Sequence, residues 1–323
     1  MTVADCIRGI RENDRAILGK AITMIESSNP DHQKMALEIL AEIGKFQTAA
    51  IRIGLTGAPG VGKSTFADAF GTHLTSLGKK VAVLAVDPSS AISGGSILGD
   101  KTRMQRLTRD ELAFIRPSPS GKTAGGIARR TRETILLCEA AGYEVVMVET
   151  VGVGQGETAV RSMVDFNLLL MQPGSGDDLQ AIKRGIVETA DAILVSKNDG
   201  GFRSIANQTK THFEGVMRML RGSGGGWEPV VLACSSVEGT GISEVWEMIL
   251  SFSGFIEKAG GMAEIRRKQA LIWYEDAVRE LLEERFFGEA KMAEEYELLK
   301  TKVLAGEIQA VVAARELIGG LEK

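Results

Sequence analysis

Histidine and cysteine are scarce in this sequence, at three each in 323 residues. His32, His73 and His212 stand isolated, and Cys6, Cys138 and Cys234 form no C-x-x-C pair. Spacing of this kind offers no metal centre built on thiolates and imidazoles. Each cysteine instead reads as a small buried residue in a reducing compartment. A basic excess is missing too: 38 Lys and Arg against 42 Asp and Glu leave a net charge of −4, which argues against a general nucleic-acid binder. No apolar run approaches the roughly 18 residues of a membrane span. Asp5, Arg8 and Arg11 lie where a signal peptide would carry its apolar core. The expectation is a cytoplasmic protein that partners neither nucleic acid nor membrane. A hydrophobic content of 44% with 25% charged residues is close to the globular average and supports a full core.

What the sequence does hold is Gly57-Ala58-Pro59-Gly60-Val61-Gly62-Lys63-Ser64-Thr65, which satisfies the phosphate-loop pattern G-x-x-x-x-G-K-[ST]. Glycines let backbone N–H groups turn inward and approach phosphate oxygens without a Cβ in the way. Lys63 adds a mobile positive charge for the β- and γ-phosphates, and the Ser64 hydroxyl suits Mg²⁺. Residues 51–56 read as a short buried strand before the loop. Residues 64–77 read as a helix after it, with its positive end toward the phosphates.

The chain around this loop divides into three stretches. Residues 1–48 are a helical extension. Leu18, Ala21, Ile22 and Ile25 form one apolar stripe, and Asn29 with Pro30 opens a helix whose stripe is Ala36, Ile39, Leu40 and Ile43. Residues 49–258 alternate strand and helix. Nearly continuous apolar runs at 80–86, 112–116, 144–149, 167–171, 192–196 and 229–233 predict an α/β fold of the P-loop NTPase type, a mostly parallel sheet with helices on both faces. Residues 259–323 form a helical tail, with stripes Met292, Tyr296, Leu299, Val303 and Ile308, Val311, Val312, Ile318. Such a tail either packs on its own sheet or pairs with another copy, and a dimerisation arm is the reading taken forward.

Ligands of a parallel sheet sit beyond the carboxyl ends of its strands, and acidic residues fall there. Asp87 closes one strand and Glu149 another; each either caps its strand or joins a hard cation such as Mg²⁺ through carboxylate oxygen. Asp100 is a further candidate for the metal shell. Arg103 either reaches the γ-phosphate as an arginine finger does or lies on a solvated loop. Gly152 begins a stretch able to sense the γ-phosphate, and Gln155 is a candidate to orient the attacking water. Residues 174–183, with Asp177, Asp178, Gln180 and Lys183, form a third candidate switch whose reaction step the residues do not supply.

The base is read further on. Ser196-Lys197-Asn198-Asp199 approximates N-K-x-D, in which the Asp carboxylate accepts from guanine N1–H and the N2 amino group while the Lys stem covers the base. Adenine offers no such donor pair, so guanine is favoured. Ser196 stands where Asn is usual, removing an amide that would brace the loop. Ser235-Ser236-Val237 resembles the S-A-x element whose backbone contacts guanine O6.

Together, GAPGVGKST, AVDPSS, GDKTRM, the stretch 116–134, ETVGVGQ and PGSGDDLQAIKRGI resemble the MeaB/ArgK-type P-loop GTPases, relatives of the methylmalonic aciduria type A protein. The resemblance implies a GTP-hydrolysing chaperone that protects an adenosylcobalamin-dependent acyl-CoA mutase, typically methylmalonyl-CoA mutase, and gates its cofactor loading. It implies a homodimer with a C-terminal arm, and GTP/GDP with Mg²⁺ as ligands. By matching motif it places Lys63 and Ser64 on phosphate and Mg²⁺, and Asp87, Asp100 and Glu149 in the metal site. Gln180 and Lys183 become couplers in a third switch toward the mutase. Ser196 and Ser236 depart from the usual Asn and Ala.

Three other classes compete. A GTPase for nickel-enzyme maturation calls for clustered Cys or His near the nucleotide. A partitioning- or transport-type ATPase commonly carries a second lysine where Ala58 stands, and lacks the Lys197/Asp199 pair. A small-molecule kinase would need an acceptor site, which the residues do not outline. The D-x-H-x-x-G signature of many cobalamin-binding domains is absent, so the expectation is that the partner holds that cofactor.

Overall fold

A computed structural model describes residues 1–46, 49–87, 104–119, 124–150, 160–175, 187–220, 226–288 and 290–319. The chain divides into two compact units, 1–269 and 270–323.

The first unit is built on seven parallel strands: β1 (Ile51–Thr56), β2 (Val81–Asp87), β3 (Ala113–Pro119), β4 (Val145–Thr150), β5 (Phe166–Met171), β6 (Ala192–Val195) and β7 (Val230–Ala233). Their order is β3-β2-β4-β1-β5-β6-β7. Strands up to β4 lie on one side of β1 and those from β5 on the other, so β1 delivers the phosphate loop at the centre of the sheet. Among the described strands every pairing is parallel, and the expected strands all form.

Burial on both faces explains the uniform apolar runs. In β5, Leu168 and Leu170 join the core with Phe66 and Phe70 of α4 (Lys63–Ser76) and Ile249 and Phe252 of the helix Ile242–Lys258. Leu169 and Met171, alternating with them, pack on the other face with Phe213 and Met217 of the helix Arg203–Leu220. Neither face is left for solvent.

The amino-terminal helices are α1 (Val3–Arg11), α2 (Arg15–Glu26) and α3 (Pro30–Ile43). Thr2, Asp14 and Asn29 cap them, each accepting from backbone N–H groups of the first turn. The α2 stripe is buried in full, whereas α3 buries Ala36, Ile39 and Ile43. Long-range contacts fasten this layer to the rest of the unit. Asn13 Nδ2 donates to the Ala141 carbonyl at 2.7 Å, and Arg116 of β3 pairs with Glu26. All three cysteines are buried.

At the amino ends of β1 and β5 lies a dense ionic network. Arg52 donates to both carboxylate oxygens of Glu139 at 2.7 and 2.8 Å. Arg266, from the helix Met262–Gly288, donates to both oxygens of Asp165 at 3.0 and 2.6 Å and to the Ala50 carbonyl at 2.6 Å. Arg52, Glu139 and Asp165 are each at most 5% exposed. Burial opposes the Arg266 charge, and Asp165 outweighs it, holding the guanidinium above its ordinary pKa.

In the second unit, the helices Ala290–Leu304 and Ala310–Gly319 pack through Leu299, Ala313 and Leu317. Of the expected stripe, Ile308 packs against this cluster, whereas Val311, Val312 and Ile318 are exposed. Ala313 and Leu317, four apart, share the face that meets Leu299.

Candidate functional site

The loop between β1 and α4 has the conformation its glycines make possible. Gly57 has φ +140°, and a Cβ there would lie 2.4 Å from the Leu170 carbonyl oxygen. Gly62, at φ +103°, is the N-cap of α4 and supplies no side-chain cap. The first N–H groups of α4 therefore meet no capping side chain and suit a phosphate anion. Lys63 Nζ folds onto the loop, donating to the carbonyls of Gly57 at 2.8 Å and Ala58 at 3.0 Å. Ala58, Pro59, Gly60 and Thr65 are exposed, while Val61, Lys63 and Ser64 are buried.

Ser64 and Glu149 come from α4 and the carboxyl end of β4, and the fold joins them: Ser64 Oγ donates to Glu149 Oε1 at 2.7 Å. A buried hydroxyl beside a buried carboxylate is a hard, oxygen-only donor pair, which fits Mg²⁺ chemistry. Asp87 ends β2, next to β4 in the sheet; its side chain lies outside the described residues. So do Asp100, Arg103, Gln155, Asp177, Asp178, Gln180 and Lys183.

The residues expected to read the base come from two strand ends. Ser235 Oγ donates to Asp199 Oδ2 at 2.5 Å and accepts from the Glu238 N–H at 3.0 Å. One Asp199 oxygen is thereby oriented by its neighbour. Lys197 adopts left-handed backbone, φ +56°, and its Nζ reaches the Gly60 carbonyl at 2.9 Å. A non-glycine residue held there costs conformational energy, and here the strained residue bridges the base loop to the phosphate loop. Val237 is 81% exposed. Ser236 is buried.

Ser196 departs from the expectation that the bracing is lost. Its Oγ lies 2.6 Å from the Val61 carbonyl and 3.1 Å from that of Met171, so its proton ties the base loop to the phosphate loop or to β5. Sequence reasoning missed this because a short hydroxyl replaces an amide only where backbones come this close. It missed equally that the Ser235 side chain orients Asp199. Serine at the start of the S-S-V element was the available signal. Burial pushes the adjacent Cys234 thiol up to about 12, so it stays protonated at neutral pH.

Among the described residues, no helix is long and apolar enough to cross a membrane.

Comparison with known proteins adds a family to this geometry. The sequence model of the family described as "Methylmalonyl Co-A mutase-associated GTPase MeaB" matches residues 18–291. The chain is 48% identical over 272 residues to the GTPase ArgK of Escherichia coli, covering 84% of this chain and 82% of that protein. It is 40% identical over 320 residues to the mitochondrial methylmalonic aciduria type A homolog of Mus musculus, covering 96% and 77%. Among solved structures, one described as LAO/AO transport system kinase superposes with a TM-score of 0.77 at 36% identity, covering 99% of this chain and 98% of that one.

Proposed function

The chain is a P-loop GTPase of the MeaB family, and from that premise we propose that it acts as a chaperone for an adenosylcobalamin-dependent acyl-CoA mutase. Methylmalonyl-CoA mutase is the first choice of partner. GTP hydrolysis protects that enzyme and gates the loading of its cofactor, which the partner and not this chain carries. The observation that carries the reading is the match of residues 18–291 to a family described by its association with that mutase. The phosphate loop and the oriented Asp199 support the choice of nucleotide.

In this reading, Lys63 and the loop backbone hold the phosphates, and Asp199 with Lys197 reads guanine. Ser64, Asp87, Asp100 and Glu149 would hold Mg²⁺, which would supply positive charge to the phosphates. Arg103 stabilises charge on the transferred group, and Gln155 orients water. Asp177, Asp178, Gln180 and Lys183 couple the site to the mutase. The protein works in the cytoplasm as a homodimer through residues 259–323. Exposed apolar side chains such as Leu271, Leu281, Leu282 and Leu298 support that arm.

The test is GTP turnover by the full chain with and without purified methylmalonyl-CoA mutase. A stimulated rate is expected, because water positioning and the arginine are completed by the partner. A flat rate with several acyl-CoA mutases would overturn the mechanism.

A further inference from the structure

The loops after β6 and β7 are joined by more than the contact that orients Asp199. At the strand ends, the Asn198 N–H donates to the Cys234 carbonyl at 2.9 Å. One residue further along each loop, Ser235 Oγ donates to Asp199 Oδ2. Further still, Arg203 Nη2 donates to Glu238 Oε2 at 2.7 Å. Asp199 therefore lies between two other ties, one of backbone and one of charge.

Both partners of the ion pair stand on hydrogen-bonded backbone. The Phe202 N–H donates to the Asp199 carbonyl at 2.9 Å, closing the short 3₁₀ turn Gly200–Phe202 that leads into the helix Arg203–Leu220. Opposite, residues 235–240 fold back on Ser235. Its carbonyl accepts from the Gly239 N–H at 2.9 Å, its N–H donates to the Thr240 carbonyl at 3.0 Å, and its hydroxyl oxygen accepts from the Glu238 N–H at 3.0 Å. Gly241 ends the turn at φ +77°, where a Cβ would lie 2.5 Å from the Ala233 carbonyl oxygen. Ser235 thus holds Asp199 with its hydroxyl proton and the Glu238 backbone with its lone pair.

The Arg203 and Glu238 side chains are 57% and 39% exposed. An ion pair so open to water adds little to folding. What it does is tie the two loops together beyond Asp199, counting from the sheet. We propose that Arg203 and Glu238 are a positioning pair for the guanine nucleotide: their ion pair straps the two base loops around Asp199 and sets how slowly GDP leaves. The proposal rests on the reading that Asp199 binds guanine.

Release of fluorescent GDP from the full chain, chased with unlabelled GDP, tests it. The variants are Arg203→Ala, Glu238→Ala, both together, and the exchanged pair Arg203→Glu with Glu238→Arg. Each single alanine variant is expected to release GDP about threefold faster at low salt, the scale of an exposed ion pair. Its thermal midpoint without nucleotide stays within about 2 °C of the parent. The double alanine variant releases GDP no faster than either single one, because each removes the same contact. The exchanged pair returns the rate toward that of the parent, and salt at about 1 M brings parent and alanine variants together by screening. Unchanged release in both single variants overturns the proposal. So do additive effects in the double variant, or an exchanged pair that keeps its thermal midpoint yet releases GDP as fast as the alanine variants. A parent that binds ADP as tightly as GDP removes the guanine reading and the strap with it. A parent that prefers GDP, with variants that release it at the parent rate, removes the strap alone.

Discussion

At the amino ends of β1 and β5, Arg52 meets Glu139 and Arg266 meets Asp165, each guanidinium spanning two carboxylate oxygens. At the carboxyl ends of β1 and β4, Lys63 donates to two backbone carbonyls, and the Ser64 hydroxyl donates to Glu149. Both regions bury charged groups at the ends of neighbouring strands. In the first, charge is matched by charge in bidentate geometry, which nothing from outside needs to complete. In the second, the ammonium's bonds include two to backbone carbonyls of the loop itself, which a phosphate anion would outcompete. The amino end is a fastening, and the carboxyl end is a receptor.

Four substitutions and one titration would break or sharpen that contrast. Lys63→Ala should lower kcat/KM for GTP by about 1,000-fold, a loss of preorganised phosphate stabilisation, while the thermal midpoint barely moves. Glu139→Ala should do the reverse. It leaves the Arg52 charge buried without its carboxylate and should cost about 3–5 kcal/mol in urea unfolding, with GDP affinity of the folded fraction intact. Equal losses of binding and stability in both variants would erase the distinction.

Asp199→Asn replaces an acceptor by an amide whose NH₂ faces the guanine donors. Two charge-assisted hydrogen bonds are at stake, so GDP affinity should fall about 100-fold, while xanthosine diphosphate, with a carbonyl at C2, should bind better than to the parent. Competition binding with both nucleotides measures this. Ser196→Ala should weaken GDP about fivefold, the worth of one neutral hydrogen bond, and an unchanged affinity would show that the contact to Val61 braces nothing. Asp191 supplies the mildest effect. Burial raises its pKa from 3.8 to about 6, against the lowering influence of Arg161 and the Asn167 N–H. The folded state therefore binds this proton more tightly than the unfolded one, and the group's contribution to stability falls as pH rises from about 4 to about 6. Urea midpoints across that window should show the slope in the parent and its loss in Asp191→Asn.

Legibility in the sequence followed the range of the interaction. The strands were readable because a parallel sheet covered on both faces makes nearly every position apolar, as in Phe166–Met171, where Asn167 is the one polar residue. The cap at Asn29 and the phosphate loop were readable because their donors and acceptors are close along the chain. The tail showed where periodicity stops helping: helices were foreseeable there, but Val311 and Ile318 turned out exposed while Ala313 became buried. A stripe says which side is apolar, not which neighbour arrives to cover it.

Residue type and spacing by themselves determined that this chain carries a phosphate loop on a parallel sheet, and they pointed to Asp199 as the candidate to select the base. Both depend on local backbone geometry and on one carboxylate's hydrogen-bonding pattern. Tertiary structure alone decided that Ser196 spans to Val61, that Ser235 orients Asp199, that Glu149 meets Ser64, and that Asp68 accepts from the Leu107 N–H. Each of these joins residues 36 to 135 positions apart. Such pairs are short hydrogen bonds between common polar residues. Motifs along the chain mark some of their members, but only the sheet order brings the paired strands and helices side by side.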